Sequence, residues 1–135
     1  MVRKKVLIVD DSTTMRKLER LMLGEQYDFV EAANGEDALS TAVTERPDIV
    51  LLDLNMPTID GIETYRQLRQ LEGFADVPVL FITGMTEYPA ADGGALHSVR
   101  FPVDARSDVL RKPLHAVALR EMVQRLLGME GTRAP

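Results

Sequence analysis

Three aspartates, a threonine and a lysine stand at the ends of short apolar runs. Val6-Leu7-Ile8-Val9 leads into Asp10 and Asp11, and Ile49-Val50-Leu51-Leu52 into Asp53. Val79-Leu80-Phe81-Ile82 leads into Thr83, and Val109-Leu110 passes through Arg111 to Lys112-Pro113. If these runs are neighbouring parallel strands, their carboxyl ends share the edge where open α/β sheets bind ligands. Carboxylates, a hydroxyl and an ammonium gathered there suit Mg²⁺ and a phosphoryl group. A carboxylate can attack phosphorus to give an acyl phosphate, but two anions must then meet. Mg²⁺ offsets that repulsion, taking carboxylate, carbonyl, phosphate and water oxygens. On this reading Asp53 is the nucleophile. Asp11 and Asp53 are direct metal ligands, Asp10 binds directly or through water, and the backbone carbonyl of Asn55 adds another oxygen. Lys112 pairs with one phosphoryl oxygen as a compact charge. Thr83 hydrogen-bonds a second oxygen, and Gly84 lets the backbone approach the phosphate closely.

Positioning such residues takes strands that alternate with helices. Ser12 and Thr13 are helix-capping types, and Met15, Leu18, Leu21 and Met22 recur at helical spacing up to Gly24. A second strand follows from Tyr27 to Ala32, then an Asn34-Gly35 turn. Ala38, Leu39, Ala42 and Val43 mark a second helix that Pro47 closes, and residues 48–53 form the third strand. A loop runs from Asn55 through Asp60-Gly61. Ile62, Tyr65, Leu68 and Leu71 form the inner stripe of a third helix, Pro78 opens the fourth strand, and the last helix spans about 115–127. This rhythm predicts a doubly wound α/β domain with right-handed βαβ crossovers and a five-stranded parallel sheet in the order 2-1-3-4-5. Residues 1–128 are then one domain and 129–135 a frayed tail. From Gly84 to Ser107 the rhythm fails: Pro89, Pro102 and several glycines punctuate a stretch with no clear helix, and loops this long are often functional.

Composition narrows the function. The chain of 135 residues is 45% hydrophobic and 27% charged, as in a soluble globular protein. Its net charge of −5 disfavours non-specific nucleic-acid binding. No apolar run approaches the roughly 20 residues of a membrane span. The basic start precedes only four apolar residues and reads as a first strand, not a signal peptide. There is no cysteine, so disulfides and thiolate metal sites are excluded. His97 and His115 lie apart without a metal-binding pattern, His97 reading as a loop residue and His115 as a helix-start surface residue. Cytoplasmic residence is the default expectation.

Each motif alone has a blander reading. Asp10-Asp11 could open a turn, Asp53 could be a turn residue after a strand, Thr83 a strand-end hydroxyl and Lys112 a solvated cation. Taken together and in order, Asp10-Asp11, Asp53 within Leu52-Asp53-Leu54-Asn55-Met56-Pro57, Asp60-Gly61, Thr83 and Lys112-Pro113 resemble the receiver domain of two-component response regulators. The residues 11–16 look most like the single-domain chemotaxis branch. The resemblance implies a CheY-like, flavodoxin-like (βα)5 sandwich that accepts phosphate on Asp53 from a sensor histidine kinase or phosphotransfer protein. It implies Mg²⁺ as cofactor, no catalysis beyond self-phosphorylation and dephosphorylation, and a phosphorylation-driven two-state switch. With no output domain attached, the expected output is another protein, and the chain is expected to be a monomer or weak dimer that binds neither nucleic acid nor membrane.

Two departures from the family pattern stand out. The family's aromatic residue three positions before the lysine is Val109 here, and the segment between Thr83 and Lys112 is long. Tyr88 or Phe101 is the candidate to replace that aromatic, and Met85 the candidate to slow hydrolysis of the acyl phosphate. The alternative reading is a degenerate receiver that binds its partner without phosphate. A hydrolase using Asp53 is disfavoured because Asn55 stands where such enzymes carry a second acid. Dinucleotide binding is disfavoured because no Gly-x-Gly-x-x-Gly follows the first strand.

Overall fold

The computed structural model describes residues 3–54, 61–84 and 103–132. In chain order they form β1 (Lys5–Val9), α1 (Thr13–Leu23), β2 (Asp28–Ala32), α2 (Gly35–Glu45), β3 (Ile49–Asp53), α3 (Gly61–Gln70), β4 (Val79–Thr83), β5 (Ser107–Arg111) and α4 (Ala116–Thr132). The strands make one sheet ordered β2-β1-β3-β4-β5, and every neighbouring pair is parallel. This is the CheY-like α/β order that the sequence predicts. Asn55, Met85, Tyr88, His97 and Phe101 lie outside the described residues, as does most of the long segment before β5.

Side chains alternate across a strand, and the alternation divides the interior into two cores. Leu7, Val9, Val50, Leu52, Val79 and Phe81 face one side, where Ala38 and Ala42 of α2 and Ile62, Tyr65 and Leu68 of α3 cover them. Val6, Ile8, Ile49, Leu51, Leu80 and Ile82 face the other, under Leu23 of α1 and Leu119, Val123 and Leu126 of α4. Strands covered on both faces need continuous apolar runs, which is why β3 and β4 are buried along their whole length.

Local chemistry sets the helix ends. Ser12 caps α1, its hydroxyl accepting from the Met15 N–H at 3.2 Å. Asn34 caps α2 through Asp37 N–H at 2.8 Å. Gly24 ends α1 with φ of 88°, and Arg46 ends α2 in the left-handed region at φ of 51°. The guanidinium of Arg46 holds that turn by donating to Glu72 O at 2.8 Å while stacking on Phe74.

Two sequence expectations need correction. The inner stripe of α1 does not contain Leu18 and Leu21, which are 38% and 79% exposed; Glu19 and Leu23 are the buried residues. Val43 of α2 and Val117 of α4 are also exposed. Helix α4 is continuous past Gly128 to Thr132. Glycine inside a helix costs only about 1 kcal/mol, and Val123 and Leu126 anchor the preceding turns.

Candidate functional site

The sheet register brings Asp10, Asp53, Thr83 and Lys112 to one edge. Val9 lies beside Leu52, Asp53 beside Ile82 and Thr83 beside Arg111. Backbone bonds extend this ladder past the strand ends, from Asp10 N to Ala32 O at 3.1 Å, Leu54 N to Ile82 O at 2.9 Å and Lys112 N to Thr83 O at 2.8 Å. Asp10, Asp53 and Lys112 continue the alternation that faces α1 and α4, whereas Thr83 continues the one that faces α2 and α3.

Asp10, Asp11 and Asp53 each offer a carboxylate oxygen within 4.8 Å of the others. Asp10 and Asp53 are buried and Asp11 is exposed. The Lys112 ammonium lies 3.7 Å from Asp53 Oδ1. Thr83 is fully buried at the end of β4. A Cβ on Gly84 would meet the Lys112 side chain at 3.8 Å, an ordinary contact, so protein packing alone does not demand glycine there. Gly61 is different. A Cβ there would lie 2.9 Å from the Asp53 carbonyl and 2.6 Å from Leu54 Cδ2, so glycine lets α3 begin directly against the Asp53 backbone.

Electrostatics in this cluster favour a cation. Asp10 is pushed up to about 6, chiefly by burial; its bond from the Ser12 N–H opposes this, and the neighbouring Asp53 adds to it. Asp10 Oδ1 accepts from Ser12 N at 2.9 Å, but the buried Oδ2 has no hydrogen-bond partner. An orphaned carboxylate oxygen beside two more carboxylates is a donor set that fits a hard divalent ion.

Glu19 is a residue that reading the sequence missed. It lies under this site on α1, 1% exposed, with Oε2 buried and unpartnered. Burial pushes its carboxyl up to about 8, Asp10 and Asp53 raise it further, and Lys112 pulls the other way. The signal was available: Glu19 falls between Met15 and Met22 at i+4 and i−3, on their side of the helix. Arg16 was also missed. It donates to the Asp10 carbonyl at 2.6 Å and to Glu31 Oε1 at 2.7 Å.

A family model, the response regulator receiver domain, matches residues 6–124. The chain belongs to that family. This receiver domain is 33% identical over 121 residues to sporulation initiation phosphotransferase F of Bacillus subtilis (strain 168), covering 84% of this chain and 96% of that one. It is 40% identical over 87 residues to the alkaline phosphatase synthesis transcriptional regulatory protein PhoP of the same organism, where it spans only 35% of the relative's length. Among solved structures it resembles the chemotaxis protein CheY4 of Vibrio cholerae, with a TM-score of 0.76, 30% identity and coverage of 93% and 99% of the two chains. Receiver domains are two-component signalling modules, generally not enzymes, that work with kinases and phosphotransferases. Among the described residues no helix is long and apolar enough to cross a membrane.

Proposed function

We propose that this receiver domain accepts a phosphoryl group on Asp53 from a sensor histidine kinase or phosphotransfer protein and thereby changes its partner binding. The observation that carries the reading is the cluster of Asp10, Asp11 and Asp53 carboxylates with the Lys112 ammonium 3.7 Å from Asp53. An Asp53 oxygen forms the new P–O bond as the donor's bond to phosphorus breaks, and the bonding pair leaves with the donor. Asp10, Asp11 and Asp53 would hold Mg²⁺, with the Asn55 carbonyl as a further ligand. Mg²⁺ supplies charge neutralisation for the incoming phosphoryl oxygens. Lys112 balances negative charge on the product, Thr83 donates its hydroxyl to a phosphoryl oxygen, and Gly84 leaves the phosphate open to the backbone. The domain is taken as residues 1–128, with cytoplasmic residence.

Val109 favours a second reading, a receiver whose output is independent of phosphate. It is half-buried and packed against the core on the α2 and α3 side of the sheet, and valine cannot swing between two positions as an aromatic ring could. Amide NMR with Mg²⁺, before and after acetyl phosphate or beryllofluoride, separates the two. Shifts in wild type that are absent in Asp53→Asn support the phosphoacceptor; a silent wild type at saturating Mg²⁺ supports the second reading.

A further inference from the structure

The peptide that joins Asp10 to Asp11 is held from outside the site. The Arg16 guanidinium donates through Nη1 to Asp10 O at 2.6 Å, through Nε to Glu31 Oε1 at 2.7 Å and through Nη2 to Thr13 Oγ1 at 3.3 Å. Its side chain is only 14% exposed. Glu31 stands on β2 beside Ile8, and its second oxygen accepts from Arg20 at 2.7 Å, whose guanidinium in turn lies over Phe29. Burial works against the Glu31 carboxylate, yet the bonds from Arg16 and Arg20 hold it below the ordinary glutamate range. The result is a braced arm from the edge strand, across α1, to a single backbone carbonyl.

We propose that Arg16, braced by Glu31, is a positioning residue for the acidic site, fixing the Asp10–Asp11 peptide so that both carboxylates are aimed before a divalent cation arrives. The inference rests on the metal-dependent reading of this site. Asp11 is exposed, so packing does not fix its direction; the backbone around it does. The Ser12 N–H holds Asp10 Oδ1, and the Arg16 N–H holds Ser12 O at 3.1 Å. The guanidinium completes this set by fixing the peptide plane itself. Partners behind metal ligands typically contribute about 10- to 100-fold in metal affinity.

The sign of the effect separates positioning from simple charge. Arg16 is a cation close to a cation site, so by Coulomb's law alone its removal should tighten Mg²⁺ binding. Loss of an aimed ligand should weaken it. The test is Mg²⁺ titration by calorimetry and by the amide shifts of Asp11 and Asp53, on wild type, Arg16→Met, Arg16→Lys and Lys17→Met. Lys17 is an exposed cation one residue along and serves as the charge control. Weakening of about 10- to 100-fold is expected for Arg16→Met. A smaller loss is expected for Arg16→Lys, which keeps the charge but has no fork to reach both oxygens. Lys17→Met should bind equally or more tightly. Unchanged or tighter binding in Arg16→Met overturns the inference, also when its urea midpoint falls, because that is a stability role alone. Should Arg16→Met not fold, Arg16→Lys decides: affinity equal to wild type overturns the inference. A wild type that does not bind Mg²⁺ removes the metal reading, and the inference with it.

Discussion

Replacing Glu19 by leucine should stabilise this protein, and by an amount that depends on pH. Glu19 is 1% exposed and unpartnered at Oε2, and its carboxyl is pushed from 4.5 to about 8. A raised carboxyl means that the folded state holds a proton that the unfolded chain has released. The contribution of Glu19 to stability therefore falls as pH rises from about 4.5 to about 8, and is flat outside that window. Each unit of separation is worth about 1.4 kcal/mol, so the burden is near zero at pH 4.5 and about 3 kcal/mol at pH 7. Leucine has no proton to hold and fills the site with apolar volume. Urea unfolding of wild type and Glu19→Leu, in chelator and from pH 5 to 8, should give a stability difference that widens by on the order of 3 kcal/mol at constant m. In thermal melts at pH 7 the variant should gain roughly 10 °C. The shift of Asp10 is common to both proteins and cancels in the difference. A difference that stays constant across this range would refute the reasoning, because it would mean that Glu19 is ionised and satisfied in the folded protein.

Two further outcomes follow from the packing. Gly61→Ala should cost more than 1 kcal/mol and shift the Asp53 amide, because its Cβ would meet the Asp53 carbonyl at 2.9 Å; normal unfolding and an unmoved Asp53 resonance would show that α3 can retreat freely. Tyr65→Phe keeps the ring against Phe81, 5.3 Å between centroids, but removes the hydroxyl that donates to Asp104. Because Arg69 still pairs with that carboxylate at 2.9 Å, the loss should be about 1 kcal/mol in urea unfolding, and a loss of several would mean that the hydroxyl organises the whole turn before β5.

The sheet was legible because both-face burial demands uninterrupted apolar runs, and β1, β3 and β4 have them. The acidic cluster was legible for the same reason, since Asp10, Asp11 and Asp53 follow those runs. Helix α1 was less so. Choosing its inner face by apolarity drew in Leu18 and Leu21 and left out Glu19, although Met15, Glu19, Met22 and Leu23 lie together on the wheel. A neutral carboxylic acid is tolerated in an interior that refuses a carboxylate, and residue type does not show which form is present. Arg16 was invisible as a site residue because its partner in the site is a backbone carbonyl.

The separation of the two cores by an unbroken sheet has a consequence for how this domain can change over generations. Asp10, Asp53 and Lys112 project toward the layer of α1 and α4, with Glu19 beneath them, while Thr83 and Val109 belong to the layer of α2 and α3. Among the described residues, the second layer meets the acids at the sheet edge and where Gly61 lies against Asp53. Substitutions among the apolar residues of the second layer can therefore accumulate with little effect on the three carboxylates, whereas Thr83, at the end of β4, ties that layer to the same sheet edge.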